Sequence, residues 1–257
     1  MEFLIISLIA FLTSVVSGML GLGGAVLLIP AYLYIPPVFG IHGPGIKSIS
    51  GMSSLQVFAA SMFGMILHRK RGTVNNSLIR TMGLPITLTS FLGAAFSGLV
   101  SARMVIAVFA IMTLLGALMM LFQHPVQNEN DFGNREFSRK KAILISSLVG
   151  FFGGMVGAPG GFLLSPLMMV LLKIPTRITI GSTLGIVLLS AFAASLGKLL
   201  TGQVPFLLTL TAIGSSIPGV YLGTSISHSL KSKTLRLILA ALIIAAGIQM
   251  GYSTILK

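Results

Sequence analysis

The 257-residue sequence contains no cysteine and no tryptophan, and it has only four acidic residues. Without cysteine the chain can form neither a disulfide nor a thiolate metal site. The acidic residues are Glu2, Glu129, Asp131 and Glu136, so no carboxylate falls inside a long apolar run. This distribution excludes a proton relay built from aspartate or glutamate inside a membrane.

The motifs of several enzyme classes are missing as well. The sequence has no GxxxxGK[ST] phosphate-binding loop and no HExxH metal motif. Its four histidines, His42, His68, His124 and His228, are isolated along the chain. We therefore predict that the protein is not an enzyme and that it has no cofactor and no metal site.

Hydrophobic residues dominate what is present. They make up 54% of the chain and charged residues only 8%, whereas soluble domains carry about 25% charged residues. The net charge is +13, but the basic residues lie in short connections between apolar segments, without the basic-aromatic surface pattern of nucleic-acid binding. We predict an all-α, multi-pass membrane protein whose surroundings are the lipid bilayer and which binds no nucleic acid.

Glycine, proline and charge divide the chain into ten apolar segments. The second segment of each half is short, and a helix of about 13 residues reaches only about 20 Å. Each short segment therefore either crosses fully or forms a re-entrant limb, which leaves eight and ten crossings open. The segments are 3–20, 24–35, 46–67, 78–99, 104–122, 142–156, 160–172, 179–200, 206–226 and 235–256.

The two halves of the chain resemble each other. Residues 17–30 align without a gap on residues 153–166, with seven identical positions, at an offset of 136. Further along, an offset of 130 pairs Lys47 with Arg177, Gly51 with Gly181, Gly93 with Gly223 and Ser97 with Ser227. We predict a first transmembrane repeat at 1–122, a hydrophilic cytoplasmic linker at 123–141 and a second repeat at 142–257.

The positions of the basic residues favour inverted repeats. If the loop around Arg69–Arg71 is cytoplasmic, an inverted arrangement puts 13 of the 17 basic residues on the cytoplasmic side. A parallel arrangement puts only 10 there. Because cytoplasmic loops carry the excess of lysine and arginine, we predict two inverted repeats of about five segments each, with both termini outside the cell.

A duplicated glycine motif is the main candidate for a substrate site. Glycine clusters and proline permit an unwound backbone, which survives in a bilayer only where protein shields it or where it lines a wet cavity. A helix that restarts after such a break directs its free N–H groups into it, which favours an anion. We expect the two breaks to converge near the membrane centre, since inverted repeats commonly place such helix ends there. The residues are Gly21, Gly23, Gly24 and Ala25, and Gly157, Ala158, Pro159, Gly160 and Gly161.

A second pair of motifs combines a basic residue with hydroxyls. The first copy places Lys47 ahead of Ser53 and Ser54, and the second places Arg177 ahead of Ser182 and Thr183. The hydroxyls and Gln56 are candidates to bind the oxygens of an anion, with Lys47 and Arg177 as gateway charges on opposite sides. The alternative is that the two basic residues anchor helices at the interface and the hydroxyls bond to their own helix.

These motifs resemble the TauE/SafE family of sulfite and organosulfur exporters. The resemblance covers the whole chain apart from the linker. It implies an inner-membrane permease that moves sulfite, sulfonates such as sulfoacetate, or related anions, usually outward. The residues that carry it are the glycine motifs GMLGLGGAVLLIP and GMVGAPGGFLLSP, Lys47-x-x-x-Gly51-x-Ser53 with Arg177-x-x-x-Gly181-x-Thr183, and Arg71-Gly72-x-Val74 with Gly202-x-Val204.

The sequence thus predicts a secondary transporter for small sulfur-containing anions, working by alternating access around the two glycine breaks. Its partners are expected to be the small anion and lipid, and faces of small residues would allow a homodimer. Two alternatives remain at this point: an anion channel of the same fold, and a membrane scaffold that transports nothing.

Overall fold

The computed structural model describes residues 2–21, 24–40, 43–121 and 137–255. Every regular element in these ranges is an α-helix, which confirms the all-α prediction. The helices are α1 (Glu2–Leu20), α2 (Ala25–Val38), α3 (Ile46–Lys70), α4 (Asn76–Phe96), α5 (Ala102–Leu121), α6 (Arg139–Val156), α7 (Gly161–Val170), α8 (Thr176–Leu200), α9 (Phe206–Ser229) and α10 (Ser232–Ile255).

The helices follow the apolar segments, with small differences at their ends. Helix α6 begins at Arg139, so the last three residues of the predicted linker form its first turn. Residues 123–136 of that linker lie outside the described residues, as do Gly23 and His42. Helices α2 and α7 continue through Pro30 and Pro166.

Six of the described helices are long and apolar enough to cross a membrane, namely α1, α3, α4, α5, α8 and α9. Helices α2 and α7 have 14 and 10 residues. At 1.5 Å per residue they are about 21 and 15 Å long, less than a full hydrocarbon span. The second segment of each half is therefore short, as the sequence indicates.

Helices α3 and α8 form the centre of the molecule. They are the most buried of the membrane-length helices, and they contact each other in an antiparallel sense. Near the start of α3, Gly51 packs against the backbone of Gln203, which follows the end of α8. Near the start of α8, Gly181 packs in the same way against Thr73, which follows the end of α3.

The remaining helices interlock the two halves of the chain. Helix α1 packs mainly against α9, and α6 packs mainly against α4. Both contacts depend on a glycine, because Gly223 lies against the carbonyl of Val15, and Gly93 against that of Phe151. Small residues let helix backbones approach closely in a membrane. The main packing therefore lies between the halves, and neither half builds a core alone.

The contacts of one half recur in the other at the positions that the sequence alignment pairs. Gly18 lies against Val220, and its counterpart Gly154 lies against Ser90. The first residues of these pairs are 136 apart and the second residues 130 apart, the same two offsets that align the sequence halves. Gly18, Gly93 and Gly223 therefore serve close packing between helices.

Candidate functional site

Both glycine motifs break the helical backbone. Gly21 and Gly24 have φ angles of +69° and +78°, and their counterparts Gly157 and Gly160 both have +78°. These values lie in the left-handed region, which glycine adopts without a steric penalty. The break between α1 and α2 thus has the same pair of left-handed glycines as the break between α6 and α7.

The helices that restart after the breaks have uncapped, buried N-termini. Gly24 and Gly160 are the N-cap residues of α2 and α7, and among the described residues no side chain caps either helix. The first residues that follow, Ala25 and Phe162 among them, are buried. The first N–H groups of a helix have no partner within the helix and carry its positive dipole end. Each restart therefore offers donors to an anion.

A buried serine hydroxyl accompanies each break. Ser17 lies beside Gly24, where a Cβ on the glycine would be 3.2 Å from the serine Cβ. Ser50 lies beside Gly157. Both hydroxyls are buried and have no hydrogen-bond partner among the described residues. Since most buried polar groups are hydrogen-bonded, these hydroxyls favour a polar ligand at the breaks.

The two breaks start at opposite ends of the molecule. A Cβ on Gly21 would lie 2.5 Å from the carbonyl oxygen of Ile180, whereas Gly157 packs against Ser50. Ile180 and Ser50 are each the fifth residue of α8 and α3, antiparallel helices of 25 residues, so they lie roughly 25 Å apart. The expectation that both breaks converge near the centre is therefore wrong for Gly21 and Gly157. Gly24 and Gly160 fold back against α1 and α6.

Most of the predicted hydroxyls already have partners. Ser54 donates to the carbonyl of Ser50 in its own helix at 3.0 Å. Ser182 accepts the N–H of Asn75 at 2.9 Å. The Thr183 hydroxyl lies 3.5 Å from the sulfur of Met168 and also 3.5 Å from the hydroxyl of Ser165. Ser53 differs, because its buried hydroxyl has no partner among the described residues.

Gln56 of α3 is hydrogen-bonded to residues of both α1 and α2. Its Oε1 accepts from the Tyr32 hydroxyl at 3.1 Å, and its Nε2 donates to the Ser14 hydroxyl and the Ala10 carbonyl, both at 3.3 Å. Tyr32 and Gln56 are 1% exposed. The amide is thus engaged with α1 and α2, which supports a structural role rather than direct anion binding.

Lys47 and Arg177 lie at opposite ends of the α3–α8 pair. Lys47 Nζ donates to the carbonyl of Gly98 at 3.3 Å. Arg177 donates to the carbonyl of Leu230 at 2.8 Å and to the hydroxyl of Ser232 at 3.2 Å. Each contact joins the start of a central helix to a neighbouring turn. This geometry agrees with the alternative that the two basic residues anchor helices.

The structure reveals two basic residues that the sequence reasoning did not select. Lys198 is 0% exposed, and His68 is 1% exposed. His68 is not isolated either, because its ring centroid lies 5.1 Å from that of His228, which corrects the interpretation from sequence. A signal was present: His68 and Lys198 are 130 residues apart, in the register that pairs Gly51 with Gly181.

Comparison with known proteins agrees with this architecture. Residues 6–250 match the family described as Sulfite exporter TauE/SafE. The chain belongs to the TauE/SafE family. No solved structure matches it.

Proteins similar to this TauE/SafE chain include two probable membrane transporters. The chain is 24% identical over 271 residues to the Probable membrane transporter protein YunE of Bacillus subtilis, with 99% of each protein covered. It is 31% identical over 172 residues to a Probable membrane transporter protein of Xylella fastidiosa, covering 65% of this chain and 62% of the relative. With six membrane-length helices among the described residues, this TauE/SafE protein is a multi-pass membrane transporter.

Proposed function

We propose that this transporter exports small sulfur-containing anions, such as sulfite or sulfonates of the sulfoacetate type, across the inner membrane. The family description, which names sulfite export, supports the substrate class. The mechanism is alternating access around the two glycine-broken helix pairs, α1–α2 and α6–α7.

The start of α2 is the observation that carries the proposal. Its N-cap, Gly24, provides no side chain, and the N–H groups that follow are buried. The Ser17 hydroxyl, which has no partner among the described residues, lies beside this helix end. Backbone N–H groups, a hydroxyl and the positive end of a helix dipole are a suitable set for the oxygens of sulfite or a sulfonate.

The charge distribution favours an anion over a cation. The four acidic residues are at position 2 and between positions 129 and 136. Basic side chains, in contrast, lie inside or at the ends of the two central helices, at Lys47, Arg177 and Lys198. A cation would meet uncompensated positive charge along α3 and α8, whereas an anion would reduce it.

Alternating access is commonly built on two inverted repeats. The antiparallel contact between α3 and α8, which the offset of 130 makes counterparts, supports this arrangement. In the inverted arrangement the break at Gly21 belongs to one membrane face and the break at Gly157 to the other. We place the linker and the loop around Arg71 in the cytoplasm and both termini outside, as the basic residues indicate.

The proposal is tested by binding and flux with the purified full-length chain. Thermal stability is measured with sulfite, thiosulfate, sulfoacetate, taurine and sulfate, and flux of the stabilising anion is then measured in proteoliposomes. We expect saturable flux with counterflow, and we expect Gly24→Leu and Gly160→Leu to abolish it in protein that still inserts and elutes normally. Stabilisation by cations or neutral solutes alone would refute the anion claim, and unitary conductance would indicate a channel.

A further inference from the structure

Two buried basic residues occupy equivalent places in the two halves. His68 lies near the end of α3 and Lys198 near the end of α8. Because α3 and α8 are antiparallel, these residues belong to opposite ends of the molecule. Both are almost fully buried, at 1% and 0% exposure.

Lys198 is hydrogen-bonded to the end of α6, the helix that precedes the second glycine break. Its ammonium donates to the carbonyl of Met155 at 2.9 Å, the Ser97 hydroxyl at 2.7 Å and Oε1 of Gln203 at 3.1 Å. Met155 is only two residues before Gly157. A lysine ammonium has three donors, so all three are used, and every acceptor is electrically neutral.

His68 contacts the end of α1, the helix that precedes the first break. Its Nε2 lies 3.1 Å from the carbonyl of Gly18, three residues before Gly21. Its Nδ1 lies 3.3 Å from the Thr73 hydroxyl, which itself donates to the carbonyl of His68 at 3.1 Å. Nε2 needs a proton to donate to the Gly18 carbonyl, whereas Nδ1 donates to or accepts from the Thr73 hydroxyl according to the tautomer.

The contacts of the two residues correspond to each other. His68 reaches Thr73 and the last turn of α1, while Lys198 reaches Gln203 and the last turn of α6. Thr73 and Gln203 are 130 residues apart, like the basic residues themselves. The repeat has thus kept a basic group on each glycine break although the residue type differs.

Among the described residues, the ionisable groups that act on these two residues are all basic. Lys47 acts on Lys198. The ring of His228, whose buried Nε2 has no hydrogen-bond partner among the described residues, lies beside that of His68. Arg71 acts on both rings, and Arg177 acts on that of His228. A buried ammonium such as that of Lys198, whose hydrogen-bond partners are all neutral, is costly, and an ion of opposite sign compensates it.

We propose that His68 and Lys198 are anion-responsive latches, each binding an oxygen of a small oxyanion such as sulfite or a sulfonate in exchange for the carbonyl that it holds. The exchange releases the last turn of α1 or α6, so the adjacent glycine break is free to move. Lys198 serves the face where α8 ends, and His68 serves the face where α3 ends. This inference rests on the proposed function, because it identifies residues that sense the transported anion.

The test compares wild type with Lys198→Met, Lys198→Arg and, as a matched control, the exposed Lys233→Met. Sulfite and methanesulfonate are the probes, titrated by thermal stability and by flux in vesicles of known orientation. We expect Lys198→Met to raise the half-saturation concentration about tenfold or more when the anion is added at the face where α8 ends. Lys198→Arg should retain most of the affinity, and Lys233→Met should resemble wild type.

The outcomes separate the latch from the proposed function. Wild-type protein that binds neither anion refutes the proposed function and the latch with it. Anion binding by wild type with an unchanged half-saturation concentration in folded Lys198→Met refutes the latch alone. An equal change at both faces also refutes it, since a purely structural lysine would weaken both.

A second measurement on unmodified protein covers the case in which Lys198→Met does not fold. Wild type is acetylated with an N-hydroxysuccinimide ester in the presence and absence of methanesulfonate, and the extent of modification at Lys198 is read by mass spectrometry. A latch that exchanges acceptors should change its labelling at least severalfold with the anion, while Lys233 stays constant. Equal labelling of Lys198 under both conditions overturns the proposal.

Discussion

Adding one methyl group at Gly157 should destabilise the protein more than adding one at Gly40. Both glycines are left-handed, with φ of +78° and +69°, so alanine costs about 1–2 kcal/mol at either position. At Gly40 a Cβ would meet nothing within 4 Å. At Gly157 it would meet the carbonyl and hydroxyl of Ser50, with the Ser50 carbonyl carbon at 2.6 Å.

The steric part of the difference comes from backbone that cannot rotate away. Helix α3 must shift from α6 by several tenths of an ångström or more, and overpacking of this kind costs about 1–3 kcal/mol. We therefore expect a total of about 2–5 kcal/mol for Gly157→Ala and about 1–2 kcal/mol for Gly40→Ala. Reversible denaturant unfolding in detergent measures both values. Equal losses, or a larger loss for Gly40→Ala, would refute the close approach of the break to α3.

Three further substitutions test the contacts of single side chains. Ser53→Ala should raise the half-saturation concentration for sulfite severalfold, because the Ser53 hydroxyl has no partner among the described residues. Ser54→Ala should leave it unchanged, because the Ser54 hydroxyl is bonded to its own helix. Identical binding curves for the two variants would contradict this. Tyr32→Phe should lower the free energy of unfolding by about 1 kcal/mol through loss of a buried hydrogen bond, whereas exposed Tyr221→Phe should leave it unchanged. Arg177→Lys should speed amide hydrogen exchange in the turn between α9 and α10. One ammonium cannot replace the guanidinium, which contacts both the Leu230 carbonyl and the Ser232 hydroxyl. Unaltered exchange would argue against Arg177 as an anchor of this turn.

The helices and the glycine breaks could be read from the sequence because their signals are local. An apolar run of about 20 residues has few alternatives to a membrane helix. The cluster at Gly21–Gly24 indicates a break wherever the rest of the chain lies, and the structure has left-handed glycines there. The short lengths of α2 and α7 follow from the same punctuation.

The roles of the polar residues could not be read in the same way, because they depend on contacts between distant segments. Ser53 and Ser54 are adjacent and equally polar, yet only the hydroxyl of Ser54 meets a carbonyl of its own helix. In the sequence, Lys198 lies near the end of an apolar run, where a basic residue is expected to face the membrane surface. Its burial depends on Met155 and Ser97, which belong to α6 and α4.

The convergence of the breaks failed for a related reason. Sequence places a break along the chain but not along the membrane normal, and α1 has 19 residues, enough to span most of the hydrocarbon before Gly21. The break therefore begins near the far end of its hairpin. A start near the centre would have required a preceding helix of about half that length.

The two halves of the transporter make matching contacts, but they differ in the length of the chain that follows each glycine break. The offset falls from 136 to 130 between the glycine motifs and the central helices. Helix α2 is four residues longer than α7, and the seven residues between α2 and α3 are two more than the five between α7 and α8, which accounts for the change. The helix beyond the first break is thus longer, while the latch on that break is an imidazole rather than an ammonium with three donors. If the two gates were identical, the free energy of closing would be the same for both, and the anion would bind equally well from either face. Such differences give the two faces different affinities for the anion, while the gradient of the anion or of a coupled ion sets the net direction. In the proposed mechanism, exchanging the latch residues as His68→Lys with Lys198→His should therefore change the relative half-saturation concentrations at the two faces.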